Sequence, residues 1–185
     1  MKCLRKYSVI GCLVLVVAGV SACAPVSAKR FTVDRQSISK PIVVGNITVA
    51  PFKEAPYVDD NCRAAGKITP PDRATFESYI QQALADEIKR AGLVDEKAPK
   101  VILMGEVKAL VFTSTSTFSD AWWIMKIKVT SSNGKILETA EKYDFATSFG
   151  AYKACQEAAD AYVPAVKKLV AKMVGSPDFT PLLAQ

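Results

Sequence analysis

The alternation of apolar and polar positions changes character repeatedly along this chain, and each change marks an element. Val9 to Val20 is a run of twelve residues without a charge, preceded by Lys2, Arg5 and Lys6. This is a positive segment followed by an apolar one too short for a membrane span, so 1–22 reads as a cleavable signal peptide. Residues 24–40 are polar and without sustained period. They read as a flexible tether whose seventeen residues could stretch to about 55–60 Å, so the folded part need not touch a membrane. The alternative for part of this stretch is a short edge strand through Phe31, Val33 and Ile38. Pro41 to Phe52 is apolar on both faces, as in a buried strand, and Pro51 ends it. A loop with Pro56, Asp59, Asp60, Asn61 and Gly66 follows.

Helical spacing then begins. Thr69-Pro70-Pro71-Asp72 has the pattern of a capping box with proline at the first helical position. Phe76, Ile80, Ala83, Leu84, Ile88 and Ala91 form one stripe, and Gly92 with Leu93 closes the helix. Residues 100–148 read as three antiparallel strands. Val101, Leu103, Val107, Ala109 and Val111 share the inner face of the first, with Glu106 and Lys108 opposite. Trp123, Met125, Ile127 and Val129 do so in the second, and Leu137, Tyr143 and Phe145 in the third. Asn133-Gly134 is the hairpin turn between the last two. A second helix spans Ala151 to Val174, with Tyr152, Cys155, Ala159, Tyr162, Val166, Leu169 and Met173 inward and a kink or break expected at Pro164. The tail should dock loosely through Phe179 and Leu182. The order β-α-β-β-β-α predicts an α+β two-layer sandwich: a mixed, largely antiparallel four-stranded sheet with two helices on one face. The organisation expected is 1–22 signal, 23–40 amino terminus and tether, and 41–185 one domain.

Composition narrows the chemistry. The chain has 185 residues and a formal charge of +6, but removing Lys2, Arg5 and Lys6 leaves 21 basic against 18 acidic residues, a net of +3. With no basic stripe and no reading motif, nucleic acid is not an expected partner. Lys29, Arg30 and Arg35 offer a weak attraction to anionic head groups. Histidine is absent, which removes Ser-His-Asp and Cys-His catalysis and His-ligated zinc. The carboxylate pairs Asp59-Asp60, Asp86-Glu87 and Asp95-Glu96 are adjacent in sequence and do not converge on one point. No catalytic residue, metal or cofactor is therefore expected, and the chain reads as non-enzymatic.

Val20-Ser21-Ala22-Cys23 closes the apolar run and resembles the lipobox of bacterial lipoproteins. The resemblance implies cleavage before Cys23, diacylglycerol on its sulfur and an acyl chain on its new amine, and hence a membrane as partner through that lipid. Ala24 after the cysteine implies the outer membrane in the lipoprotein sorting pattern. The alternative is a plain signal peptide cut at an A-x-A-like site. Cys3 and Cys12 leave with the signal, so Cys62 and Cys155 remain as a pair. In an oxidising compartment two such thiols are expected to bridge. Two buried free thiols or a redox pair are the alternatives, although the CxxC spacing of redox pairs is missing.

Ile47-Thr48-Val49-Ala50-Pro51-Phe52 resembles the strand that opens the amino-terminal-TolB-like fold, also found in CsgG-type and penicillin-binding-protein-activator lipoproteins. From the first helix onward the element order is similar to the YajG-like lipoproteins, with Ala91-Gly92-Leu93, Asn133-Gly134-Lys135 and the Phe/Leu tail as landmarks. The resemblance implies an outer-membrane address with the domain facing the periplasm. It also implies a non-enzymatic role, and no functional residue transfers besides Cys23.

The stretch Thr113 to Ser119, followed by Asp120-Ala121-Trp122-Trp123, supplies a candidate partner surface. If Trp123 is core, Trp122 and Ile124 stand on the opposite face beside Phe118, an apolar group of the kind that binding surfaces use. The other reading is that Trp122 merely lies over lysine stems or under the tether. Lys126 and Lys128 opposite Glu106, Glu138 or Lys142 read as a cross-strand charge ladder. The expected function is a protein-binding or assembly module of the cell envelope with an envelope protein as partner. The alternative is a structural subunit that self-associates through its sheet edge; the sequence leaves the oligomeric state open.

Overall fold

The computed structural model describes residues 26–27, 47–49, 52–53, 60–94, 96–115 and 120–184. The signal segment, Cys23, the Phe31/Val33/Ile38 stretch and Phe118 lie outside them. In chain order the strands are β1 (Val26–Ser27), β2 (Ile47–Val49), β3 (Asn61–Cys62), β4 (Gly66–Thr69), β5 (Val101–Thr113), β6 (Asp120–Ser131) and β7 (Ile136–Ala146). The helices are α1 (Phe76–Arg90), α2 (Ala151–Val174) and α3 (Phe179–Leu183), with 3-10 turns at Arg63–Ala65 and Pro71–Arg73. The main sheet has the order β2-β5-β6-β7. β2 lies parallel to β5 with α1 in the connection, and the other pairs are antiparallel. This is the expected α+β class.

A second sheet, β1-β4-β3, adds to the single sheet that the sequence pattern predicts. Strands of two to four residues leave no periodic trace, so β3 and β4 fall in the expected loop and β1 in the expected tether. Val26 pairs parallel with Ile68, and Cys62 antiparallel with Gly66. Cys62 and Ile68 are buried and join the sheet to the core.

Helix α1 begins later than its sequence suggested. Asp72 and Arg73 both sit at φ +58°, in the left-handed region, so Pro71–Arg73 is a separate turn. The cap is Thr75, whose hydroxyl accepts from Ser78 N at 3.1 Å. The carboxyl end is as expected. Gly92 at φ +71° donates to Lys89 O and Leu93 donates to Ile88 O, a Schellman closure.

The inner face of β5 also differs from simple alternation. Val107 pairs with Ile127 but Ala109 pairs with Lys126, so Lys108 is an extra residue in a bulge. Beyond it the parity reverses: Leu110 and Phe112 are buried, not Ala109 and Val111. Within the first half of β5, a Cβ on Gly105 would stand 1.9 Å from the ring of buried Phe52, so only glycine admits that ring. In β6 and β7 the expected inner residues face the helices.

Helix α2 is one unbroken helix despite Pro164. Its neighbours Ala161, Tyr162, Val163, Ala165 and Val166 are all buried, so packing holds the helix through the missing amide. The inner stripe starts at Ala154 and Cys155, and Tyr152, expected inside, is exposed. The tail is firmly docked rather than loose. Phe179, Leu182 and Leu183 are fully buried, and the hairpin residue Asn133 donates to Pro181 O and Ala184 O at 3.0 and 2.7 Å.

Candidate functional site

The two faces of the main sheet set what each side chain can do. Against the helices, Trp123 is enclosed, and its indole N–H donates to Ala158 O at 2.8 Å. Phe112, Phe76 and Tyr162 surround it, with ring centroids 4.7, 6.0 and 5.3 Å away. The Tyr162 hydroxyl donates to Phe76 O at 3.0 Å. Burial pushes this phenol well above its ordinary range, with Tyr79 and Glu77 adding to the effect. It is a neutral structural donor.

At the margin of the inner face, buried Glu141 of β7 receives Lys168 and Lys172 of α2 at 3.1 and 3.3 Å. Lys172 also donates to Ala140 O of the same strand at 2.7 Å. These cations fasten the helix to the edge strand and occupy one of the edge carbonyls.

On the outer face, strand register builds rows. Met104, Thr130 and Ile136 lie side by side; Glu106, Lys128 and Glu138 form the next row. Further along come Ala109, Lys126 and Ala140, then Val111, Ile124 and Lys142, then Thr113, Trp122 and Asp144. The expected cross-strand ladder is present in register as the Glu106–Lys128–Glu138 row and in the Lys126–Glu138 pair at 3.2 Å, whereas Lys108–Glu106 at 3.0 Å and Lys142–Asp144 at 2.7 Å pair within one strand. The hydrogen bond from Lys108 lowers the Glu106 pKa, aided by the charges of Lys108, Lys53 and Lys128, while desolvation opposes them.

Trp122 and Ile124 are half-buried on this face in adjacent rows, with Val111 beside Ile124. The structure thus brings together two of the three candidate partner residues. A second apolar group, Ile102, Met104 and Ile136, is exposed at the hairpin end of the sheet. Sequence reasoning passed over it, although the signal was there: Met104 and Ile136 have the parity of Glu106 and Glu138.

The third feature is the end of the domain where β7 passes into α2. Cys62 and Cys155 form a disulfide with 5.8 Å between their Cα atoms, buried on both sides. Ser114 Oγ lies 3.2 Å from Cys62 Sγ. Arg63, at φ +46°, donates from Nη1 to Phe149 O at 3.0 Å and from Nη2 to Ser114 O. Ser148 donates to both carboxylate oxygens of Glu157, at 2.6 and 2.7 Å. This scaffold projects Phe149, fully exposed, and Tyr152, 69% exposed.

Of the carboxylate pairs, Asp60 binds Lys67 at 3.0 Å, Asp86 accepts from Gln82 at 2.7 Å and Glu87 pairs with Arg90; Asp59 and Asp95 lie outside the described residues. Among the described residues there is no group of three or more potential metal ligands. No described helix is long and apolar enough to cross a membrane.

No protein-family model and no curated protein sequence matches the chain. Among solved structures, it is similar to protein XCC0632 from Xanthomonas campestris, of family DUF330, with TM-score 0.60 and 13% identity over 85% of this chain and 97% of that one. That likeness shows a shared fold. Two weaker superpositions involve the PelC L103M dodecamer from Paraburkholderia phytofirmans (TM-score 0.37, 14% identity, 77% and 88% covered) and a candidate lipoprotein from Caulobacter crescentus CB15 (0.40, 11%, 74% and 89%). At these scores they carry no information on the assembly or function of the present chain.

Proposed function

We propose that this protein is a lipid-anchored lipoprotein of the bacterial outer membrane, facing the periplasm, and that it serves as a non-enzymatic binding or assembly module for an envelope protein. The observation that carries the reading is Val20-Ser21-Ala22-Cys23 at the end of an uncharged run. The Cys62–Cys155 bridge supports it, because a buried disulfide belongs to an oxidising compartment. The partner surface in this reading is the outer face of the sheet around Trp122 and Ile124. Half-buried apolar residues beside the charged rows of this face are the sort of group a partner desolvates.

The competing reading, self-association through the sheet edge, has less support. The main sheet has β2 and β7 as its edge strands; along the longer one, β7, Glu138, Lys142 and Asp144 are spaced while Lys172 occupies Ala140 O. Charges and a capped carbonyl are devices that keep strand edges from pairing. Crosslinking in intact cells, followed by capture of the protein, tests the binding role. Wild type should recover a discrete envelope protein that Trp122→Ala loses. Equal recovery by both, or by neither, contradicts the assignment of this surface.

A further inference from the structure

We infer that the domain rests directly on the bilayer through the end that carries Arg63, Phe149 and Tyr152, instead of hanging from a free tether. The inference rests on lipidation of Cys23, and adds to it an orientation. Val26–Ser27 are strand residues paired with Ile68 and Thr69, so the chain is already part of the domain three residues after Cys23. Three residues reach at most about 11 Å. A lipid on Cys23 would therefore hold the membrane surface within that distance of β1, whatever path the intervening residues take.

The direction of β1 says which end faces the lipid. β1 is parallel to β4, so its amino-terminal end lies toward the start of β4 at Gly66, next to the Arg63–Ala65 turn. That turn is fixed to the start of α2 twice, by Arg63 on Phe149 O and by Cys62 on Cys155. The most exposed aromatic side chains of the described residues, Phe149 and Tyr152, project from this junction. Tyr152 pairs an apolar ring with a hydroxyl, which favours the head-group boundary of a bilayer, and Phe149 offers a wholly apolar ring to the acyl side of that boundary. Lys153 is exposed beside them, and Lys67, paired with Asp60, lies on β4. These cations suit anionic head groups. The nearby carboxylates are Asp60, paired with Lys67, and Glu157, which accepts from Ser148. An anchor this close also keeps the aromatic pair at a high effective concentration of lipid, so weak individual insertion suffices.

The test uses the full lipidated protein in phosphatidylethanolamine/phosphatidylglycerol vesicles containing a lipid with brominated acyl chains, which quench indole at the bilayer boundary. Phe149→Trp, Tyr152→Trp and Ile136→Trp are compared, each in a Trp122→Phe background. Ile136 is an exposed position at the other end of the 11-residue β7, roughly 34 Å away along the strand. F149W and Y152W should lose emission on the brominated lipid and I136W should not. If lipidated, vesicle-bound protein shows no loss at 149 or 152, or equal loss at 149 and 136, the orientation is wrong while the anchor stands. If the mature chain lacks diacylglycerol by intact mass, the anchor itself fails and the orientation falls with it.

Discussion

Trp122 and Trp123 are consecutive in β6, and the sheet sends them to opposite sides. Trp123 has three aromatic neighbours and a satisfied N–H in a closed core. Trp122 sits half-buried between Thr113 and Asp144 on a face whose other rows are charged or carry exposed apolar side chains. The inner face is thus saturated, whereas the outer face has ion pairs that keep it in water and apolar positions that water does not require. Stability should reside in the first face and recognition in the second.

The contrast can be broken from its strongest side first. Replacing Cys62 and Cys155 by Ala opens a closed loop of 93 residues, and should cost about 4–5 kcal/mol in the chain-entropy model, read by urea unfolding. Trp123→Ala should cost about 3–5 kcal/mol as a large cavity. Trp122→Ala should cost under about 1.5 kcal/mol, within the range of a partly exposed site, while abolishing partner capture. Equal losses at the two tryptophans would dissolve the distinction between the faces. Gly105→Ala should cost about 1–3 kcal/mol, because the added methyl must displace the Phe52 ring.

Smaller effects sharpen the same point. Tyr162→Phe should cost about 1 kcal/mol at neutral pH, the net worth of one buried hydrogen bond. Its pH dependence has a definite sign. The folded phenol titrates above its unfolded value, so its contribution is whole below about pH 10 and declines as pH rises further, because the unfolded chain loses the proton first. Tyr162→Phe should remove that part of the alkaline decline, as followed by unfolding between neutral and strongly alkaline pH. On the outer face, Lys126→Ala breaks an exposed pair with Glu138 and should shift stability by no more than about 0.5 kcal/mol.

Long, strongly patterned elements were legible in the sequence. The α2 limits, the Gly92-Leu93 closure, the Asn133-Gly134 hairpin and the Trp123 face all emerged from spacing and turn chemistry. What escaped has identifiable causes. Around Lys108 apolar residues occur at both parities, so alternation cannot reveal that the bulge selects Leu110 and Phe112 over Ala109 and Val111. Thr69-Pro70-Pro71 imitates a helix start, yet the left-handed Asp72 and Arg73 break it and Thr75 takes the cap. Tyr152 fits the spacing of the α2 stripe, but the buried stripe begins only at Ala154 and Cys155. Of the candidate surface, the outward parity of Trp122 and Ile124 followed from the strand period, whereas the exposed Phe149–Tyr152 end depends on long-range pairings through Arg63 and Cys62.

The anchor remains the claim on which orientation and partner both depend. Expressed from its full-length gene, the protein should yield a mature amino terminus at Cys23 whose intact mass includes diacylglycerol and an amide-linked acyl chain. Cys23→Ser should accumulate unprocessed and unacylated. A mature chain of unmodified mass, or a Cys23→Ser variant processed and fractionated like wild type, would contradict the account.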